Sequence, residues 1–215
     1  MEILDSVLEL VGVLAFAVSG ALVGVRHRMD LFGVIMLGIT TALGGGVIRD
    51  LILGLTPPAA FRSPAQALLA AGVSVVIFLP LLRRRLVLDT RFDALLQTAD
   101  AVGLGIFTVR GLKTALDAGF GGNTALLLFV AVITGVGGGI LRDLLAGRRP
   151  AVFVRHIYAT ASLAGAVLCV LLQRVMNLHA AMYASIVVIV LLRVGARHYR
   201  WNLPKAELLD EEKTE

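Results

Sequence analysis

The chain is short of charge. Asp, Glu, Lys and Arg together supply 16% of its 215 residues, and only 15 residues are acidic. Soluble domains carry about 25% charged residues. So little polar surface cannot cover a globule of this mass, which excludes an ordinary water-soluble fold. Cysteine is nearly missing too: Cys169 stands alone, so an intrachain disulfide and a disulfide scaffold are excluded. Within its apolar run it reads as a small hydrophobe. Aromatic residues make up only 6%, and the hydrophobic 58% comes mostly from Leu, Val, Ala and Ile. With a mean hydropathy of +0.88, the composition also excludes disorder and places the chain in lipid. At about 20 residues per crossing there is room for six to eight transmembrane helices.

Runs without charge locate the crossings, because an ionised group at mid-bilayer costs about 2.5 to 3.5 kcal/mol on insertion scales. Six such runs are 10–25, 31–48, 63–82, 118–141, 157–173 and 175–192, and a seventh, 94–109, is interrupted only by Asp100. Their length and glycine content favour helices over barrel strands. The first run lacks the Lys/Arg-rich start of a signal peptide and reads as a retained helix. The expected spans are 4–25, 31–54, 64–82, 93–113, 121–146, 157–174 and 177–195. Residues 1–195 then form one all-α membrane domain of seven helices, and 196–215 a charged cytoplasmic tail, disordered at 210–215.

The basic residues give this arrangement an orientation. Arg26, Arg28, Arg83, Arg84, Arg85, Arg91, Arg148, Arg149, Arg155, Arg197, Arg200, Lys205 and Lys213 fall on one face, against Arg62, Lys113 and Arg174 on the other. The positive-inside rule then sets the N-terminus outside and the C-terminus in the cytoplasm, in a cell inner membrane. The net charge of +5 has the same explanation. Arg83-Arg84-Arg85 reads as a headgroup anchor, and no nucleic-acid-binding module is present.

An internal repeat organises the spans. Gly44-Gly45-Gly46-Val47-Ile48-Arg49-Asp50-Leu51 returns 93 residues later as Gly137-Gly138-Gly139-Ile140-Leu141-Arg142-Asp143-Leu144. Thr41, Gly54 and Pro57 match Thr134, Gly147 and Pro150 at the same offset, while Gly12, Phe16, Val18 and Gly20 match Gly103, Phe107, Val109 and Gly111 at an offset of 91. Each unit, about 4–82 and 93–174, holds three crossings. An odd number makes the second unit enter the membrane from the opposite side, so the repeats are inverted. Helix seven lies outside them.

The second and fifth spans carry the candidate chemistry. Glycine weakens a helix by roughly 1 kcal/mol relative to Ala, so two triplets in lipid require compensation. One reading is close helix contact; the other is a mid-membrane break or kink whose freed backbone groups face a cavity. Arg49, Asp50, Arg142 and Asp143 either line a central path or snorkel to headgroups. Neighbours on a helix point about 100° apart, so each charge is expected to pair across the repeats. Asp100 either lines the path or sits at the interface. Asp5 and Glu9 are expected at the interface, Arg110 and Lys113 among headgroups, and the four histidines near helix ends. Thr41 and Thr134 either satisfy backbone groups or line the path. No zincin, P-loop, nucleophile-elbow or dinucleotide pattern occurs, so enzyme chemistry is not expected.

Seven spans, two three-helix repeats and Gly-Gly-Gly-(Val/Ile)-(Ile/Leu)-Arg-Asp in spans two and five resemble the trimeric intracellular cation channel (TRIC) family, in its bacterial and archaeal branch. The resemblance covers about residues 5–195. It implies a homotrimer in which every subunit carries its own pore, bounded by kinked helices two and five and permeable to monovalent cations, potassium before sodium. It makes Gly44, Gly45, Gly46, Gly137, Gly138 and Gly139 the kink-forming residues, with Arg49, Asp50, Arg142 and Asp143 as the charges beside them. No cofactor is implied beyond the permeant potassium ion and bound lipid. The competing reading, open on the residues alone, is a secondary transporter for a small solute such as an amino acid.

Overall fold

The computed structural model describes residues 2–80, 92–154, 157–199 and 201. Among these, every regular element is helical. The helices are α1 (Glu2–Arg26), α2 (Leu31–Ile52), α3 (Ala59–Arg62), α4 (Ala65–Phe78), α5 (Phe92–Asp117), α6 (Thr124–Leu145), α7 (Ala151–Val154), α8 (Ala159–Leu172) and α9 (Leu178–His198). Polar caps start the membrane helices as local chemistry requires. Asp30, Asn123 and Asn177 accept from the amides of Gly33, Leu126 and Ala180, satisfying a free donor at the starts of α2, α6 and α9.

Five helices, α1, α2, α5, α6 and α9, are long and apolar enough to cross a membrane. The expected spans 64–82 and 157–174 contain shorter apolar helices of 14 residues each, α4 and α8. At 1.5 Å per residue each is about 21 Å long, less than a hydrocarbon core of about 30 Å. The early end of α4 follows from Pro80, which pushes the preceding residue out of the helical region. Leu79 indeed has ψ 136°. Part of the third span lies outside the described residues, as do Arg83, Arg84, Arg85, Arg91, Arg155, Arg200, Lys205 and Lys213 and most of the expected tail.

Large apolar side chains face outward. Phe32, Phe61, Leu68, Phe153 and Leu191 are among the most exposed residues, the inverse of a soluble protein and what a lipid solvent allows. Within lipid the helices gain little from apolar burial and associate through close packing of small residues.

α1 packs on α2 and α4, α5 packs on α6 and α8, and the two groups meet where α1 crosses α5 and α2 crosses α6; α9 lies against α5 and α8. The α1–α5 pair is antiparallel. Reading up α1 and down α5, Asp5 meets Lys113, Glu9 meets Arg110, Gly12 meets Phe107, Phe16 meets Gly103 and Arg26 meets Asp93. The middle two contacts are reciprocal: each phenylalanine lies on the glycine four residues before the other. A second reciprocal set joins α2 and α6, where a Cβ on Gly45 would overlap the Thr134 carbonyl and a Cβ on Gly138 that of Thr41.

The helices run unbroken through both glycine triplets. Of the two readings of the triplets, an outright break is absent, and the glycines serve proximity. A Cβ on Gly137 would stand 3.2 Å from the Gly45 Cα, so backbone approaches backbone at the crossing. The third glycine of each triplet differs between the halves: a Cβ on Gly139 would stand 2.6 Å from the Tyr158 hydroxyl, whereas on Gly46 its nearest neighbour would be Arg49 Nη2 at 3.7 Å, an ordinary contact.

Candidate functional site

Each Arg-Asp pair sits in the last turn of its helix, where the chain reverses. Gly54 and Gly147 take φ values of 71° and 68°, the left-handed conformation that ends a helix most easily at glycine. The amides of Leu55 and Arg148 reach back to the carbonyls of Asp50 and Asp143, and those of Gly54 and Gly147 to Leu51 and Leu144. This is the double backbone closure of a Schellman end. The aspartates then fasten the next segment. Asp50 Oδ2 accepts from the Ala59 amide and Asp143 Oδ2 from the Ala151 amide, both at 2.8 Å.

The remaining carboxylate oxygen holds the neighbouring arginine. Arg49 Nε donates to Asp50 Oδ1 at 2.8 Å, and Arg142 Nε to Asp143 Oδ1 at 3.0 Å. Adjacent residues thus pair within one helix, contrary to the expectation that each charge finds its partner across the repeats. The angular argument fails because the guanidinium lies far enough from its Cα to swing round the helix. Both pairs are buried, with Arg49 8% and Asp143 0% exposed, so snorkelling to headgroups does not describe them. Removing either partner of the first pair would strand a charge.

The second pair goes further than the first. Arg142 Nη1 also donates to Asp100 Oδ1 on α5, at 2.5 Å, and to Ser19 Oγ on α1. Asp100 is 4% exposed and lies inside the bundle. Its Oδ1 accepts from the Tyr158 hydroxyl at 3.1 Å, and its Oδ2 lies 3.5 Å from Arg193 Nη2. Arg193 comes from α9, outside the repeats. Its guanidinium stands 4.3 Å from the centroid of the Tyr158 ring and donates to the Ile157 carbonyl. Cation, ring and carboxylate therefore converge from α5, α6, α9 and the start of α8.

A counterpart lies at the other end of α1 and α5. Arg110 Nη2 donates to Glu9 Oε2 at 2.8 Å and Gln66 Nε2 to Glu9 Oε1 at 2.7 Å. Lys113 bonds Asp117 at 2.6 Å and lies 3.7 Å from Asp5. Arg110 and Lys113 are thus engaged by carboxylates rather than left to lipid headgroups, because α1 brings Asp5 and Glu9 alongside them. Sequence reasoning missed Glu9. The offset of 91 that aligns Gly12 with Gly103 also aligns Glu9 with Asp100, a match in chemistry but not in residue identity.

Thr41 and Thr134 are buried, and each hydroxyl donates to the carbonyl four residues back, Leu37 and Val130. Of their two alternatives, this is the satisfied-backbone one. Among the described residues, no group of three His, Cys, Asp or Glu side chains could hold a metal ion.

A multi-pass helical membrane protein with buried charge networks at the ends of its central helices is the class that fold and site define. The family model described as glycine transporter matches residues 6–81 and 97–174, and the chain belongs to that family. It is 38% identical over 199 residues to the UPF0126 membrane protein YvgT of Bacillus subtilis strain 168, covering 92% of this chain and 94% of that protein. It is 37% identical to the UPF0126 inner membrane protein YadS of Escherichia coli K12, covering 92% and 93%. Solved structures agree over nearly the full length. A structure described as the basis for conductance through TRIC cation channels matches at 33% identity and TM-score 0.83, covering 94% of this chain and 97% of that one. The TRIC trimeric intracellular cation channel orthologue from Rhodobacter sphaeroides matches at 36% identity and TM-score 0.84, covering 92% and 99%. The resemblance to TRIC channels seen in the glycine and Arg-Asp motifs is borne out.

Proposed function

We propose that the protein is a monovalent cation channel, permeable to potassium, acting in the cell inner membrane as a homotrimer with one pore in each subunit. The observation that carries this reading is the likeness to TRIC cation channels at 33 to 36% identity over 92 to 94% of the chain. The buried ionisable groups on α5, α6 and α9 support it, because such groups in a membrane interior face a path or one another. The antiparallel, reciprocal packing of α1 on α5 and of α2 on α6 is what inverted repeats at about 4–82 and 93–174 would produce, with α9 added to complete a seven-span domain at 1–195. The N-terminus is then outside and the C-terminus cytoplasmic.

In this reading the waist of the path lies where α2 crosses α6. Gly44, Gly45, Gly46, Gly137, Gly138 and Gly139 line it when the two helices part, flanked by Thr41 and Thr134, and the close packing described above is the shut state. Cation selection falls to carbonyls, hydroxyls and carboxylates, since an unpaired arginine would repel a cation. Asp50 and Asp143 neutralise Arg49 and Arg142 and hold the helix ends, and Asp100 adds the counter-charge at the second. No resident cofactor is needed; potassium is cargo. Lipid is a natural partner, and an outward groove of about 490 Å³ on α8, lined by residues such as Leu163, Val167 and Leu171, offers an acyl chain an apolar seat.

A secondary transporter for a small solute is the second reading, favoured by the family model's description. Purified protein in liposomes separates the two. A channel raises potassium flux above protein-free liposomes without saturating at low concentration. Saturable solute uptake that tracks a proton or sodium gradient, with no potassium flux at any voltage, would reverse the choice.

A further inference from the structure

The charge contacts of α1 and α5 form two matching stations. In each, a carboxylate lies seven residues before a phenylalanine of the central stack: Glu9 before Phe16, and Asp100 before Phe107. A spacing of seven returns to the same helix face, so both carboxylates share the face on which the rings meet. Because α1 and α5 run antiparallel, the stations lie at opposite ends of the pair. Glu9 is level with Arg110, whereas Asp100 reaches the level of Ser19 through Arg142. Ten residues of α1 separate Glu9 from Ser19, or about 15 Å. Each carboxylate takes an arginine and a neutral donor, Arg110 with Gln66 at the first and Arg142 with Tyr158 at the second, where Arg193 also stands 3.5 Å from Asp100.

We infer that Glu9 and Asp100 are paired specificity-determining residues, one towards each mouth of the path, that keep Arg110 and Arg142 from opposing the passage of cations. This rests on the channel reading and adds to it a residue for which the glycine and Arg-Asp motifs give no sign. In a medium of low dielectric an arginine without its carboxylate repels a nearby cation and attracts an anion. The pair together presents little net field. The stations differ in wetness: the side chain of Glu9 is 31% exposed and that of Asp100 6%. Screening is therefore stronger at Glu9.

Reconstituted channels in a potassium chloride gradient test this. Glu9→Gln and Asp100→Asn are each expected to lower the cation-to-anion permeability ratio severalfold, moving the reversal potential towards that of chloride. The change is larger for D100N, and that for E9Q shrinks as salt is raised. Because the two sites lie at opposite ends, the variants should rectify in opposite directions. The double variants E9Q/R110Q and D100N/R142Q remove each carboxylate together with the arginine that bonds it most closely and should recover much of the lost ratio, less completely at the second station, where Arg193 remains. A merely structural role would change the amount of folded protein without reversing the rectification or allowing this rescue. Unchanged reversal potentials in E9Q and D100N, or failure of both double variants to recover selectivity, overturns the inference while the wild-type cation current stands. Absence of that wild-type current defeats the channel reading itself, and this inference with it.

Discussion

Phe16 of α1 and Phe107 of α5 stack with ring centroids 5.1 Å apart and planes inclined by 28°. They are repeat-related residues, and each ring also lies on the glycine four residues before the other, Gly12 under Phe107 and Gly103 under Phe16. The stack thus marks the middle of the antiparallel α1–α5 pair, beside the glycine crossing of α2 and α6: the Phe16 ring would stand 3.2 Å from a Cβ on Gly138.

On the channel reading, a path opened beside this centre moves the rings. Phe107→Ala is expected to raise basal potassium flux in liposomes over wild type while lowering thermal stability, since a Phe-to-Ala change in a packed core costs about 3 to 5 kcal/mol. Flux assays alongside melting in detergent check both parts. A destabilised variant with wild-type flux would separate the stack from gating.

Glycine substitutions should divide sharply by position. Gly45→Ala and Gly138→Ala place a methyl group against a carbonyl of the facing helix, where backbone cannot yield. Each is expected to lose about 1 to 3 kcal/mol or more of stability, the range for overpacking. Gly72→Ala, with nothing within 4 Å of the added carbon, should be neutral or slightly stabilising. Parallel melting curves decide; equal behaviour of the three would remove close approach as the reason for the triplets.

Asp143→Ala takes from Arg142 one of its two carboxylates and leaves the Ala151 amide without its acceptor. Breaking a buried pair costs about 3 to 5 kcal/mol, so this variant should fold poorly. Asp30→Ala, which removes only the cap of α2, should lose about 0.5 to 2 kcal/mol. Yield of monodisperse protein and thermal melting in detergent rank them.

Tyr158→Phe removes the hydroxyl that bonds Asp100 but keeps the ring beneath Arg193. The expected loss is about 1 kcal/mol. Tyr158→Leu removes the ring as well and should cost more, because a desolvated cation over an aromatic face contributes up to about 2 kcal/mol. A larger effect for Phe than for Leu would contradict the geometry.

Much of the helix plan was legible because lipid imposes simple rules. Charge-free runs located four of the five long helices and the centres of both short ones, and a run broken only by Asp100 located α5. Matching motifs 91 and 93 residues apart pointed to the halves that pack reciprocally. The site was less legible. Arg49 and Asp50 were placed apart by the angle between neighbouring Cα–Cβ directions, which neglects the reach of a guanidinium. Arg193 carried no motif, and Glu9 matched Asp100 only in chemistry.

The sequence by itself determined that the chain lives in lipid, which segments become helices, and that two halves share one local design ending in glycine, proline and a carboxylate. Those are properties of composition and of short-range contacts along the chain. Tertiary structure alone decided that the triplets serve close approach between helices, that Asp100 joins Arg142 to Tyr158, and that α9 sends Arg193 into one half without a repeat-encoded equivalent in the other. The physical reason is that ion pairs and backbone contacts depend on distances between helices far apart in the chain. Those distances emerge only when the helices pack.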